Sequence, residues 1–159
     1  VQDLDGMALR GQVATVLAAT PCTVFANSGA RWKWTKHRTP FLMRQGYMTA
    51  WHCARIIGET EPRVWAIENP IGSLPRYIGP YDWSFQPNEY GDPYTKRTCI
   101  WSNVPKPPTA MTTVEATEGS KLWRLGPGPE RQALRSATPA GFAQAFFAGA
   151  LAAVQEPLL

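Results

Sequence analysis

Acidic residues are absent from a long stretch of this chain. No Asp or Glu occurs between Asp5 and Glu59, whereas Arg10, Arg31, Lys33, Lys36, Arg38, Arg44 and Arg55 all fall there. The net charge is only +4, but the basic charge is concentrated and suits a negatively charged partner. Cysteine is scarce as well. Cys22, Cys53 and Cys99 are odd in number and widely spaced, with no CxxC pair. That excludes a disulfide framework, argues against a structural zinc site or any other metal centre, and predicts free thiols in a reducing compartment. No run approaches the roughly 20 apolar residues that span a bilayer, and no signal-peptide pattern opens the chain. These absences predict a cytoplasmic protein without a membrane partner. With 159 residues, 44% hydrophobic and 18% charged, the composition is that of one globular domain.

The most informative segment is Thr20-Pro21-Cys22-Thr23-Val24-Phe25-Ala26-Asn27-Ser28-Gly29-Ala30-Arg31-Trp32, which follows the apolar run Val13 to Ala19. An apolar run without alternation that ends in a proline turn predicts a buried strand. A thiol at the carboxyl end of such a strand sits where open α/β sheets place their chemistry. Cys22 is therefore a candidate nucleophile, the alternative being a small buried hydrophobe. Pro40 to Gly58 reads as a helix capped by Thr39 and closed by Gly58, with Phe41, Leu42, Met48, Trp51 and Ile56 as its buried face. Val64 to Ile67 reads as a second buried strand, completing a βαβ unit whose strands run parallel. Glu68 and Asn69 follow directly. The carboxyl ends of both strands then share one sheet edge, so Cys22 and Glu68 face one crevice.

Arg31-Trp32-Lys33-Trp34-Thr35-Lys36-His37-Arg38 interleaves cations with indoles. That pattern suits phosphate contact with base stacking, or else a solvated basic loop whose tryptophans fold onto the core. Residues 105–135 are rich in Pro, Gly and Thr and read as loop between a sheet core, 1–104, and a packing helix within 136–159. Lys121, Arg124, Arg131 and Arg135 in or at the end of that loop are phosphate contacts or ordinary surface charge. In the tail, Thr138 is the expected cap, Pro139 the first helical residue, and Phe142, Phe146 and Leu151 the buried stripe.

Four segments occur in order: Pro21-Cys22, Glu68-Asn69, Tyr90-Gly91-Asp92-Pro93-Tyr94-Thr95-Lys96-Arg97-Thr98, and Arg135-Ser136-Ala137-Thr138-Pro139 before a small-residue helix. Together they resemble the motifs of DNA (cytosine-5)-methyltransferases, and more narrowly the compact members encoded by bacteriophages, over about Val13 to Ala153. The resemblance implies a Rossmann-like α/β methyltransferase sheet, mostly parallel, with helices on both faces and incomplete at its N-terminus. It implies transfer of a methyl group from S-adenosyl-L-methionine to carbon 5 of cytosine in DNA. Cys22 would add to carbon 6, Glu68 would act on ring nitrogen 3, and Asn69 would hold the Glu68 carboxyl. Lys96 would reach the 2-carbonyl oxygen or a phosphate, with Arg97 the competing choice. Only one of the two should face the pocket if they lie on a strand; a solvated edge strand is the alternative. Ser28, Arg31, Lys33, Lys36, Arg38 and Arg135 would contact DNA. Pro21 and Asp3, or Asp5, would touch the cofactor.

No Gly-rich strand-to-helix turn precedes Cys22, and Val1-Gln2-Asp3-Leu4 reads as the lead-in to a strand late in the family's order. The chain is thus expected to be a fragment, one half of a split enzyme with a cofactor-binding partner chain, or a degenerate protein that binds nucleic acid without chemistry. A pyrimidine-nucleotide-modifying enzyme is a further alternative.

Overall fold

The computed structural model describes residues 1–27, 39–109, 113–120, 133 and 136–155. Strand β1 (Thr15–Ala19) is followed by helix α1 (Pro40–Thr60), strand β2 (Val64–Pro70) and a short helix α2 (Pro75–Ile78). Strands β3 (Trp83–Phe85) and β4 (Thr98–Ser102) come next, and helix α3 (Ala140–Gln155) follows. Single 3-10 turns occur at Met7–Leu9 and Pro87–Tyr90.

The four strands form one sheet in the order β1, β2, β4, β3. β1 and β2 are parallel, joined by α1 as the βαβ reading requires, with Thr15 opposite Val64 and Ala19 opposite Glu68. β1 is not the buried strand expected over Val13 to Ala19: it begins at Thr15, lies at an edge of the described sheet, and alternates exposed with half-buried residues, Leu17 being 64% exposed. β4 is antiparallel to both β2 and β3. The sheet is therefore mixed, with one parallel pair, and not mostly parallel as expected. The physical reason is the connection: β3 reaches β4 through a 3-10 turn and loop with no crossover helix among the described residues, and such a link serves an antiparallel pair.

Each face of the sheet carries a helix. β2 and β4 alternate, so Ile67, Cys99 and Trp101 pack on one face with Val24, Phe25, Ala50 and Cys53. Val64, Ala66 and Ile100 pack on the other with Phe85, Tyr90, Phe142, Phe146 and Ala150. On this second face the Phe85 and Phe142 rings stack 3.7 Å apart. The Tyr90 hydroxyl donates to the Pro107 carbonyl at 2.9 Å, and burial pushes its pKa up to about 12, with Glu89 adding to the shift.

Local sequence explains the start of α1. The Thr39 hydroxyl accepts the Leu42 N–H at 3.3 Å and Pro40 occupies the first turn. Its end and its face differ from expectation. The helix runs past Gly58 to Thr60, and Glu61, at φ 46°, makes the left-handed cap and pairs with Arg10. The buried residues are Gly46, Ala50, Cys53, Ile56 and Thr60, whereas Phe41, Met48 and Trp51 are exposed. Small residues line the inner face because the helix lies close to the turn beyond β1: a Cβ on Gly46 would overlap the Val24 side chain.

α3 begins at Ala140, and the Gly141 N–H donates to Asp92 at 3.4 Å, so a carboxylate from another segment caps the helix instead of Thr138. Phe142 and Phe146 are buried as expected, but Ala150 and not Leu151 completes the stripe. Val1–Leu4 is not a strand; its Val1, Gln2 and Leu4 carbonyls accept from Arg55. Residues 105–109 and 113–120 contain neither helix nor strand. No helix among the described residues is long and apolar enough to cross a membrane.

Gly141 sits against the Tyr90 carbonyl, where an added Cβ would overlap backbone that cannot swing away. Gly141→Ala should therefore destabilise the fold by about 1–3 kcal/mol, a loss read as a lower midpoint with unchanged slope in urea unfolding.

Candidate active site

The site is built where β1 and β2 end. Ala19 lies opposite Glu68, so the turn carrying Cys22 and the strand end carrying Glu68 meet at the same edge of the sheet. Beyond Pro21 the chain makes a helical turn: the Phe25 and Ala26 N–H groups donate to the Cys22 carbonyl at 3.1 and 2.8 Å. The turn is then fastened to the segment after β2. Asn27 N–H donates to Ile71 at 3.0 Å, Ser73 N–H donates to Phe25 at 2.9 Å, and Ala26 bridges Gly72. A Cβ on Gly72 would overlap the Phe25 carbonyl, so glycine permits this approach. Cys22 is half-buried, whereas Cys53 and Cys99 are buried in the core, where desolvation raises both thiol pKa values. Cys22 is thus the most accessible of the three thiols.

Asn69 does not hold the Glu68 carboxyl. Neighbours on a strand point to opposite faces. Asn69 is fully buried, and its amide nitrogen donates to the Thr20 carbonyl at 3.0 Å and the Thr20 hydroxyl at 2.7 Å. It clamps the residue immediately before Pro21-Cys22. Thr20 was not singled out from the sequence; its signal is a hydroxyl residue at a strand end in register with a buried amide.

Glu68 lies on the α3 face, in register with Ile100. Burial raises its pKa above the ordinary carboxylate value, and the Lys96 ammonium offsets part of that rise. Lys96 donates through Nζ to the Ala137 carbonyl at 3.3 Å, and its N–H is held by Gln86 Oε1 at 3.0 Å. Arg97 acts electrostatically on Cys99, whose pKa it lowers against the larger effect of burial. Lys96 is therefore the cation beside Glu68. The expected strand alternation does not decide between the two, because both residues precede β4. Ala137, in the Ser136-Ala137-Thr138 segment, meets Lys96 here, so the segments of Glu68, Lys96 and Ala137 come together on the α3 side of this edge.

A cleft of about 360 Å³ borders the Cys22 turn, walled by Gln2, Pro21, Thr23, Gln45 and Thr49 among others. Its size and mixed lining suit a small polar molecule. Pro21 lines it as expected; Asp3 is exposed and outside the lining, and Asp5 is likewise exposed, its carboxylate accepting the Ala8 N–H. A second cleft of about 430 Å³, between the end of α1 and Trp65 and Trp101, is mostly apolar and holds none of the candidate residues. Ser28, Arg31, Lys33, Lys36 and Arg38, with Arg135, Lys121, Arg124 and Arg131, lie outside the described residues.

No family model matches this chain, and no curated protein matches it significantly.

Because the folded state holds the Glu68 proton more tightly than the unfolded chain, stability falls as pH rises from the unfolded pKa through the folded one. Glu68→Gln should therefore melt higher than wild type above that window and draw level below it. Lys96→Ala should move the window to higher pH, and Arg97→Ala should leave it in place. Thermal melts from pH 4 to pH 8 on the four proteins check this, and an equal effect of the two cations would contradict the assignment of Lys96.

Proposed function

We propose that the chain is the catalytic part of a DNA (cytosine-5)-methyltransferase with a Rossmann-like sheet, acting through a covalent cysteine adduct. One observation carries the reading: parallel pairing sets the Cys22 turn and Glu68 at one sheet end, with Lys96 beside the carboxyl. β4, between β2 and β3, runs against the other three strands, so β1, β2 and β3 share the one direction that this reading needs.

In the proposed chemistry the Cys22 thiolate adds to carbon 6 of cytosine and turns the unreactive ring into an enamine whose carbon 5 is nucleophilic. Electron density moves onto ring nitrogen 3, where a protonated Glu68 donates a hydrogen bond or its proton. The raised pKa keeps the acid form present to higher pH than in a free glutamate. Lys96 stabilises negative charge at the 2-carbonyl oxygen. Once carbon 5 is methylated, its proton leaves to a base, the carbon 5 to carbon 6 double bond re-forms, and the Cys22 thiolate is expelled. A stacked duplex hides carbon 6, so the target cytosine is flipped out or already unpaired.

S-adenosyl-L-methionine supplies the methyl group. Gln2, Pro21, Thr23 and Gln45 form one wall next to Cys22 with hydroxyl and amide groups for a polar ligand. Asp3 stands apart from the cleft, so in this reading the remaining contacts come from other residues.

The deciding experiment is intact-mass analysis after incubation with DNA carrying 5-fluorocytosine, in the presence of S-adenosyl-L-methionine and any cofactor-binding partner. Fluorine blocks the final loss from carbon 5, so the enzyme remains attached. A protein–DNA adduct that disappears in Cys22→Ser is the expected result. DNA binding with S-adenosyl-L-methionine bound but no adduct would instead identify a binding protein without this chemistry.

A further inference from the structure

Tyr47 and Tyr77 stack with ring centroids 4.1 Å apart and planes 28° from parallel, and their hydroxyls lie 2.8 Å from each other. Both rings also meet Phe25, at centroid distances of 5.5 and 6.2 Å. Phe25 is buried and belongs to the Cys22 turn, through its N–H bond to the Cys22 carbonyl. The tyrosine pair is therefore fixed to the same piece of backbone as the candidate nucleophile. Yet Tyr77 remains 50% exposed. Core packing alone does not require a ring held this firmly with half its surface in water.

The segments that carry the pair hold charge of one sign. Arg44, one helical turn before Tyr47, and Arg76, adjacent to Tyr77, are both exposed. No carboxylate occurs from Pro40 to Gly58 or from Asn69 to Tyr81. A pre-oriented aromatic face with cations and no competing anions in its own segments is the combination that binds unpaired nucleotides: the face takes a base and the cations take the backbone. Prior fixing of the ring also removes part of the ordering cost of binding.

We propose that Tyr77, backed by Tyr47 and Phe25 and flanked by Arg44 and Arg76, is a stacking platform for an unpaired DNA nucleotide next to the one presented to Cys22. The platform rests on the reading of the site as one that acts on DNA. It assigns the substrate near the reacting base as locally single-stranded. The aromatic face selects no base, so this contact contributes affinity and register without sequence preference.

The test is fluorescence anisotropy with a labelled single-stranded oligodeoxynucleotide containing one cytosine. All proteins carry Cys22→Ser, so that no covalent step enters. Tyr77→Leu, which keeps apolar bulk but removes the aromatic face, should weaken binding on the order of ten-fold. Tyr77→Phe should bind as the parent does, and thermal melts of both variants check the fold. Arg44→Gln and Arg76→Gln should each reduce the slope of log K against log salt by about 0.7. Unchanged affinity in Tyr77→Leu would overturn the platform, as would failure of the parent to bind the oligonucleotide, and unchanged slopes in the arginine variants would overturn the flanking role of Arg44 and Arg76. Tighter binding of the matching oligoribonucleotide would overturn the assignment to DNA. The two readings separate cleanly. Loss of binding in Tyr77→Leu with no 5-fluorocytosine adduct in the Cys22 protein keeps the platform and removes methyl transfer. A normal adduct with undiminished binding in Tyr77→Leu does the reverse.

Discussion

The parallel pairing of β1 with β2 is the constraint on which the site depends, and the Asn69–Thr20 contact is where that pairing is passed to the Cys22 turn. Five residues of β1 lie in register with β2 and end with Ala19 opposite Glu68. One position further on, the fully buried Asn69 amide takes both the carbonyl and the hydroxyl of Thr20. Two such bonds contribute about 1 kcal/mol each, while the Asn69 Oδ1, buried with no hydrogen-bond partner among the described residues, costs about 1–3 kcal/mol. The net effect on stability is near zero. What the amide contributes is therefore position: it fixes the residue ahead of Pro21-Cys22 to the strand that carries Glu68.

The alternation of β2 divides the work between adjacent residues. Asn69 faces the α1 side and governs the loop; Glu68 faces the α3 side and meets Lys96. The α3 side is assembled from segments far apart in the chain. Asp92 caps α3, the Thr95 N–H donates to Gly119 at 2.8 Å, and Lys96 reaches the backbone just ahead of α3. Removing the contacts that place this loop would leave Glu68 buried without its cation. The carboxyl would then shift further toward its protonated form, so the packing of α3 bears on the acid strength of a residue it does not adjoin in sequence.

These relations account for what could and could not be read from the sequence. The order β1–α1–β2 was legible because an apolar run, a Thr-Pro helix start and a second apolar run each carry a local signal, but the first run misled on burial, since β1 lies at an edge of the described sheet with Leu17 exposed. The place of β4 between β2 and β3 was not, because β3 is only Trp83–Phe85 and a short strand has no periodicity to read. The common sheet end of the Cys22 turn and Glu68 was legible from the parallel connection alone. The role of Asn69 was misread because holding the neighbouring carboxyl required both side chains to share a face, which strand geometry forbids. The choice of Lys96 over Arg97 lay beyond any pattern, since neither is on a strand. Likewise, nothing near Thr138 in the sequence announces that Asp92, from a distant loop, caps α3.

The misread face of α1 ties the fold to the site most directly. Hydrophobicity ranks Phe41, Met48 and Trp51 above Gly46 and Ala50, yet the small residues face inward. Proximity explains the inversion. Val24 and Phe25 come from the turn that carries Cys22, and α1 must lie low enough for Tyr47 to reach Phe25 while Gly46 passes Val24. A bulky residue at position 46 would satisfy the hydrophobic pattern and still lift the helix from the turn. Burial area would increase at that position, but the contacts that orient Phe25, Tyr47 and Tyr77 would open together, because all three rings converge on one turn. Close packing at Gly46 is thus worth more here than additional apolar surface, and the large side chains are displaced to the outer face as its consequence.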